Sequence, residues 1–349
     1  MKKLIFILLF GITFVFGLTE DEYKAFNAFE KKDYKTAFTV FGELALKGDS
    51  KSQAIIGFMY YEGKGVRQDY KKAFDWIEKS ANQGNELGQY LIGKLYYDGK
   101  GVRQDYIKAI DWYLKSANQG NSDAQFNIGS MYYVGIGVSQ DYKKAFDWIE
   151  KSANQGNELG QYLIGKLYAE GKLVNQDYIK AMDWYLKSAN QGNSDAQFEI
   201  GSIYYVGKGV RQDYKKAFDW IEKSANQGNP VAQFIIGDMY YIGKGVSQDY
   251  KKAFYWAEKS ANEGNPAAQD RIGFMYYEGK GVRQDYKKAF YWTEKSANQG
   301  ISTAQFMIGY MYHSGVGIKQ DYKKAKEWFG KSCDSGLQIG CDKYKELNQ

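Results

Sequence analysis

Residue types that can do redox or metal chemistry are rare in this 349-residue sequence: Cys333 and Cys341 are the only cysteines and His313 is the only histidine. On one continuous helix the two cysteines would lie about 12 Å apart, at ~1.5 Å per residue, which is too far for a disulfide. Gly336 stands between them and is predicted to end a helix, so the chain can turn and bring the thiols together. The pair therefore predicts a disulfide if the protein is exported, with a free redox pair or metal ligands as the alternative.

Sequence motifs for hydrolysis or phosphate binding are missing. A serine β-lactamase needs a Ser-x-x-Lys spacing, and the sequence contains none; it also lacks Gly-x-Ser-x-Gly and His-Glu-x-x-His. The repeated stretch GKGV has neither the following glycine nor the Lys-Ser or Lys-Thr of a phosphate-binding loop. The residues therefore favour a protein without catalytic, metal-binding or cofactor sites.

The sequence repeats with a period of 36 residues. The repeated units must therefore position any functional site. Residues 63–84 return letter for letter at 207–228, and the close match of 107–126 with 179–198 indicates that the most recent duplication copied 72 residues. Self-similarity at a period of 20 to 50 residues is the signature of a solenoid, in which each unit contacts its neighbours. The dipeptide Asp-Tyr marks the period and begins at Asp33, Asp69, Asp105, Asp141, Asp177, Asp213, Asp249, Asp285 and Asp321.

Each unit contains two helical patterns. The first follows the apolar spacing of SDAQFNIGSMYYVG at 122–135, and the second follows DYKKAFDWIEKSANQG at 69–84. Asp69 suits an N-cap, because its carboxylate accepts hydrogen bonds from the first free N–H groups. Gly84 suits the left-handed position after a helix. The pattern predicts a helix hairpin in every unit.

Two residue types recur once per unit and indicate packing. Glycine in the middle of the first helix costs about 1 kcal/mol relative to alanine, so its recurrence predicts close approach of another helix, beneath a neighbouring aromatic ring. The tryptophans of the second helix are interpreted as packing residues rather than as a ligand cage. The tryptophans are Trp76, Trp112, Trp148, Trp184, Trp220, Trp256, Trp292 and Trp328, and the glycines are Gly57, Gly93, Gly129, Gly165, Gly201, Gly237, Gly273 and Gly309.

The unit AQFNIGSMYYVGIGVSQDYKKAFDWIEKSANQG at 124–156 resembles the Sel1-like repeat family, a relative of the tetratricopeptide repeat. The unit follows the family pattern of small residue, Leu-Gly, Tyr, Gly-x-Gly-Val, Asp, Lys-Ala, Trp, Lys-Ala and Gly. Ile128 replaces the leucine and Ser152 replaces the second alanine. One loop departs from the pattern, with Leu173 where the other units have glycine. The resemblance implies an all-α, right-handed α/α superhelical solenoid of helix hairpins that acts as a platform for binding partners.

The chain is predicted to have four parts. Residues 1–17 combine Lys2 and Lys3 with a short apolar run and small residues before a cut, which is typical of a signal peptide; an uncleaved anchor is the alternative. Residues 18–49 are predicted to form a capping hairpin, 50–336 eight repeats of 36 residues, and 337–349 a C-terminal capping helix. Export to the periplasm or secretion from the cell follows from the signal peptide, and no membrane span is expected after its cleavage.

Charge indicates which partners to expect. The formal net charge is +6, and the charges are scattered along the chain rather than gathered into a basic block. Nucleic acid binding needs a concentrated positive face, so it is not expected. The prediction is an exported scaffold that binds a protein or peptide segment.

The predicted binding surface is one face of the first helices. Positions 51, 55, 58 and 62 and their equivalents vary between repeats, and their spacing places them on one face, here named the first-helix face. By its resemblance to tetratricopeptide proteins this face is expected to line the concave groove; drift on a solvated surface is the alternative. The candidate contact residues are Phe58, Lys94, Asn127, Lys166, Glu199, Asp238, Arg271, Phe274 and Tyr310.

The spacing of Cys333 and Cys341 resembles the Helicobacter cysteine-rich protein branch of the Sel1-like proteins, which carries such a pair in most repeats. That resemblance implies a second function: binding of β-lactams or peptidoglycan fragments with weak β-lactamase activity. Cell-wall fragments are then possible partners. If the chain is an enzyme, it is a β-lactamase-type hydrolase.

Overall fold

The computed structural model describes residues 19–171 and 173–347, and within these ranges it is helical throughout, with no strand. The predicted signal peptide at 1–17 and the last two residues of the predicted cap lie outside the described residues. The helices in chain order are α1 Glu20–Glu30, α2 Tyr34–Leu46, α3 Ser50–Glu62, α4 Tyr70–Asn82, α5 Glu86–Asp98, α6 Tyr106–Asn118, α7 Ser122–Val134, α8 Tyr142–Asn154, α9 Glu158–Glu170, α10 Tyr178–Asn190, α11 Ser194–Val206, α12 Tyr214–Asn226, α13 Pro230–Ile242, α14 Tyr250–Asn262, α15 Pro266–Glu278, α16 Tyr286–Asn298, α17 Ser302–Ser314, α18 Tyr322–Asp334 and α19 Gln338–Glu346.

Consecutive helices pack as hairpins, which confirms the predicted all-α architecture of a repeat solenoid. From α3 to α18, each odd-numbered helix is the first of its hairpin and each even-numbered helix is the second. The chain divides into two compact units, unit 1 ending at Ile164 and unit 2 beginning at Gly165, within α9. Unit 1 contains the hairpins α1–α2 to α7–α8, and unit 2 contains those from α11–α12 to α17–α18.

Polar caps recur at the starts of most helices. The Asp69 carboxylate accepts from the Lys72 N–H at 3.0 Å and starts α4, while the Asn85 amide oxygen accepts from the Gly88 N–H at 2.9 Å and starts α5. Gly63 ends α3 in the left-handed region with φ of 70°. The first helices from α3 to α17 all have 13 residues and present equivalent positions to the same side of their hairpins, although α17 follows Ile301 and has no side-chain cap.

The glycine of the first helix marks a close approach inside the hairpin, as predicted, but the residue above it is not tryptophan. A Cβ on Gly93 would lie 2.8 Å from Cδ1 of Tyr113, and a Cβ on Gly201 would overlap the Ile221 side chain. These partners lie one position after the tryptophan in the second helix. The prediction that an aromatic ring packs over the glycine is therefore wrong for Gly201, because the aliphatic side chain of Ile221 lies there.

The tryptophans are packing residues with one face against lysine. Trp256 is buried and the other seven are half-buried. In each repeat the lysine three residues later lies over the ring; the Lys115 Nζ, for example, is 3.7 Å from the Trp112 ring centroid. A lysine on the same helix turn thus occupies the ring surface that a ligand cage would need to leave open.

Candidate functional site

All nine predicted contact residues lie on first helices, and the structure brings six of them together in three pairs. Lys94 and Asn127 line one cleft in unit 1, and Lys166 and Glu199 line one cleft in unit 2. The third pair is formed by Asp238 and Arg271 of unit 2. The helices that carry the nine residues are α3 for Phe58, α5 for Lys94, α7 for Asn127, α9 for Lys166, α11 for Glu199, α13 for Asp238, α15 for Arg271 and Phe274, and α17 for Tyr310.

The first cleft, named the Asn127 cleft, has a volume of about 260 Å³. Lys94 Nζ lies 3.3 Å from Asp98 Oδ2 on the same helix, so its charge is compensated. Burial raises the pKa of Tyr90 and of Tyr113, and the neighbouring Asn127 side chain lowers both in part. The lining residues are Lys94, Tyr97, Asp98, Tyr113, Phe126, Asn127, Ser130, Met131, Val134 and Ile136.

The second cleft, named the Glu199 cleft, has a volume of about 210 Å³ and occupies the equivalent place one 72-residue copy later. Lys166 Nζ lies 3.9 Å from Glu170 Oε1. Burial raises the pKa of Glu199, while the charge of Lys166 lowers it and the charges of Asp195 and Glu170 raise it further. The lining residues are Lys166, Ala169, Glu170, Tyr178, Tyr185, Glu199, Ser202, Ile203, Val206 and Lys208.

Asp238 and Arg271 form an ion pair between α13 and α15, with Nε 2.9 Å from Oδ1. Neither atom has the geometry of a hydrogen bond, so the contact is an ion pair. The guanidinium also stacks on Tyr241, 4.7 Å from its ring centroid. Burial raises the pKa of Asp238, and the Arg271 charge opposes that rise. Arg271 is thereby fixed in place on the first-helix face.

The three aromatic candidates differ in exposure. Phe58 is only 4% exposed, and Lys64 Nζ lies 5.0 Å above its ring centroid. The Phe58 ring belongs to the core of unit 1 and presents little surface to a partner. Phe274 and Tyr310 occupy the same helix position in later repeats and are 36% and 39% exposed. These two rings remain open to a partner.

Several cleft residues are absent from the sequence-based candidates. Tyr113 and Tyr185 come from second helices and Lys208 comes from a loop, whereas the predicted contact residues all belong to first helices. A direct comparison of the two 72-residue copies would have found Lys208, because the equivalent residue is Ile136. The tyrosines could have been found because their position alternates with isoleucine in the early repeats.

Cys333, Cys341 and His313, the residues capable of redox or metal chemistry, make contacts that stabilise the fold. Cys333 and Cys341 form a disulfide between the end of α18 and α19. His313 packs edge-on against Tyr322, with 5.3 Å between ring centroids, as Tyr277 packs against Tyr286 in the preceding repeat. In the described part of the chain, no group of three or more His, Cys, Asp or Glu side chains could hold a metal ion.

None of the helices formed by residues 19–171 and 173–347 has both the length and the apolar character needed to cross a membrane.

Comparison with protein families gives a match over most of the chain. A family model described as "Sel1 repeat" matches eight consecutive segments. No curated protein sequence is significantly similar to the chain. The matched segments are 50–85, 87–121, 122–157, 159–193, 194–229, 230–265, 266–301 and 302–337.

Solved structures give the same result. A Sel1 repeat protein from Oxalobacter formigenes is 33% identical, with 91% of this chain and 93% of that chain covered and a TM-score of 0.64. The protein c5321, a protective antigen present in uropathogenic Escherichia coli strains, is 34% identical, with 90% of this chain and 75% of that chain covered and a TM-score of 0.59. Helicobacter pylori cysteine rich protein B is 23% identical over 39% of this chain and 98% of that chain, with a TM-score of 0.31.

Proposed function

Because the chain belongs to the Sel1 repeat family, whose members typically serve protein interaction, we propose that it is an exported scaffold that binds a protein or peptide partner on its first-helix face. The observation that carries this proposal is the pair of exposed rings, Phe274 and Tyr310, at one position of α15 and α17. Large apolar side chains in solvent are poor choices unless a partner covers them.

The charged residues beside these rings support the same surface. Arg271 lies one turn before Phe274 on α15 and is held by Asp238 and Tyr241. A fixed guanidinium next to exposed aromatic rings combines the residue types that dominate binding energy at protein interfaces. The surface therefore offers both apolar anchors and a directional polar contact.

Export is the second part of the proposal. The charged and apolar pattern of residues 1–17 supports it. We expect cleavage after Gly17, which N-terminal sequencing of protein from periplasm and culture medium would detect. An intact N-terminus in a membrane fraction would instead favour the uncleaved anchor.

The binding proposal can be tested with substitutions that the repeats themselves contain. Ser130 and Ser202 occupy the position of Phe274, so the double change Phe274→Ser and Tyr310→Ser removes both rings without a residue foreign to this position. Affinity capture from envelope extract, read by quantitative mass spectrometry, should lose its main specific protein by about tenfold or more, as expected for interface anchors.

A matched control removes an exposed ring from a second helix, outside the first-helix face. Tyr255 on α14 is 48% exposed, and the equivalent residue in α12 is Asp219, so Tyr255→Asp is also a change that the repeats contain. Capture should survive this change. Equal recovery by the double variant and the wild type would exclude the first-helix face of unit 2 as the binding surface.

A further inference from the structure

Residues 86–138 and 158–210 are two copies of one 53-residue stretch that differ at eight positions. The first copy contains the Asn127 cleft and the second contains the Glu199 cleft. The differing pairs, with the residue of the first copy before that of the second, are Tyr97 and Ala169, Asp98 and Glu170, Gly101 and Leu173, Arg103 and Asn175, Ile110 and Met182, Asn127 and Glu199, Met131 and Ile203, and Ile136 and Lys208.

The differences concentrate in the clefts. Five of the eight, at positions 97, 98, 127, 131 and 136, are among the ten residues that line the Asn127 cleft. Because those ten residues are less than a fifth of the copy, substitutions scattered at random would seldom fall there so often. The helix caps and the mid-helix glycines are unchanged, so the copies diverged where a bound group would sit and not where the hairpin folds.

The Glu199 cleft contains one carboxylate that accepts no hydrogen bond within the described part of the chain, although the charge of Lys166 acts on it. Both of its lysines are engaged: Lys166 lies beside Glu170, and Lys208 Nζ lies 5.6 Å from the Tyr178 ring centroid. Across the described ranges, 19–171 and 173–347, Glu199 has no hydrogen bond and no ion pair. A half-buried carboxylate without a donor raises the free energy of the site, and a bound cation would remove that penalty.

The Asn127 cleft differs in this respect. Asn127 carries no charge and lies near Tyr90 and Tyr113, and the charge of Lys94 is compensated by Asp98. The ionised groups of that cleft, Lys94 and Asp98, compensate each other, so a bound molecule is not needed to supply an opposite charge. The change from asparagine to glutamate is thus the substitution that alters what the cleft can recognise.

We propose that the Glu199 cleft receives a lysine or arginine side chain of the bound polypeptide, and that Glu199 is the residue that specifies the positive charge. The Asn127 cleft receives an uncharged side chain. The volume of about 210 Å³ is enough for one long side chain and lies below the range of about 300–1,000 Å³ that is usual for small-molecule sites. This inference rests on the proposed function, because it assigns the chemistry of that partner.

The test uses the full-length protein and a phage-displayed library of random heptapeptides. Three variants exchange residues between the two copies: Glu199→Asn, Lys208→Ile and Asn127→Glu. Each places a residue where the other copy already holds it, so folding should be preserved. Lys208→Ile is the matched control, because it removes the other charge that the second copy has and the first lacks.

Peptides selected by the wild type should be enriched in lysine or arginine at one position. Glu199→Asn should abolish that enrichment, Lys208→Ile should retain it, and Asn127→Glu should add a second basic position. Replacing the selected basic residue by norleucine should weaken binding to the wild type about tenfold and leave binding to Glu199→Asn unchanged, as expected for a hydrogen bond to a charged group.

The outcomes separate this inference from the proposed function. If peptides are selected but their basic residues do not depend on position 199, the charge assignment is wrong while peptide binding stands. If Lys208→Ile and not Glu199→Asn removes the selection, the recognised charge is negative and the assignment is also wrong. If no form of the protein selects any peptide, both the inference and the proposed peptide-binding function fail.

Discussion

Arg271 on α15 reaches Asp238 on α13 across two successive first helices, with 2.9 Å between Nε and Oδ1. The two side chains are about equally exposed, at 27% and 29%, so solvent screens the pair only in part. The residues equivalent to Asp238 and Arg271 are Ser202 and Ile235 one repeat earlier, and Lys166 and Glu199 two repeats earlier, where the order of the charges is reversed. The ion pair is therefore not part of the framework that every repeat shares.

Charge reversal at this pair should weaken partner binding and leave the helices intact. We expect Asp238→Lys or Arg271→Glu each to lose about 1 kcal/mol of folding free energy, because each puts like charges together at a partly exposed site. The double reversal, Asp238→Arg with Arg271→Asp, should recover the folding free energy but not the binding. Urea unfolding and partner capture measure the two effects, and capture by the double reversal at wild-type level would contradict the assigned surface.

Replacing Gly201 with leucine should destabilise the chain by about 1–3 kcal/mol, because the new side chain would overlap Ile221. Gly42→Ala is the matched control: Gly42 lies inside α2, and its Cβ would meet only Ile56 Cδ1 at 3.9 Å. This control should be neutral or stabilising by up to about 1 kcal/mol, since alanine favours the helix. Thermal unfolding distinguishes them, and identical melting curves would argue against close approach at Gly201.

Loss of the Cys333–Cys341 disulfide should loosen α19 and leave the other helices ordered. Closing a loop of about nine residues is worth ~2.6 kcal/mol in the loop-entropy model. Tyr344 still packs near Gly330 without the bond, so partial docking of α19 should remain. Hydrogen exchange of Cys341→Ser and of the reduced wild type should show the same faster exchange in α19 alone. Faster exchange throughout unit 2 would contradict a local role.

Glu199 should make stability depend on pH. Burial raises its pKa in the folded protein above the unfolded value, so folding binds this proton more tightly. The stability that Glu199 contributes is then highest below the unfolded pKa and falls as pH rises through the folded pKa. Glu199→Gln should therefore gain stability relative to the wild type between about pH 4 and pH 7. Urea unfolding of the wild type and of Glu199→Gln at about pH 4 and pH 7 measures this difference in stability. A loss of this relative stability on raising the pH, instead of a gain, would show that a partner stabilises the ionised carboxylate.

The β-lactam alternative predicts measurable turnover of nitrocefin by the purified protein. We expect no turnover above background, because the sequence has no Ser-x-x-Lys spacing. His313→Tyr is the useful variant, since tyrosine occupies this position in the other repeats except at Ala169. Hydrolysis that disappears in this variant while the melting temperature is unchanged would establish an enzyme.

Local signals predicted most of the fold. Asp69 as a cap and Gly84 with a positive φ were both predicted, because capping depends on residue type and on a few neighbouring backbone atoms. The partner of Gly201 was not predicted, because periodicity identifies a helix face but not the neighbouring side chain that fills it. The burial of Phe58 was missed for the same reason.

The candidate site was predicted in part. Variation between repeats identified Asn127 and Glu199, since divergence within a duplicated sequence points to a surface that is free to change. It did not identify Tyr113 or Tyr185, which enter the clefts from second helices. Which residues share a cleft depends on helix packing, and that information is not contained in one helix alone.

The duplicated stretch that carries the two clefts has a consequence for inheritance. A block of 72 residues is encoded by a whole number of codons, and its two ends have matching hairpin surfaces. Unequal crossing-over between the copies can therefore insert or delete a complete cleft without shifting the reading frame or exposing a core. Such a gene can change the number and the order of its recognition positions in one recombination event, faster than point mutation could build them.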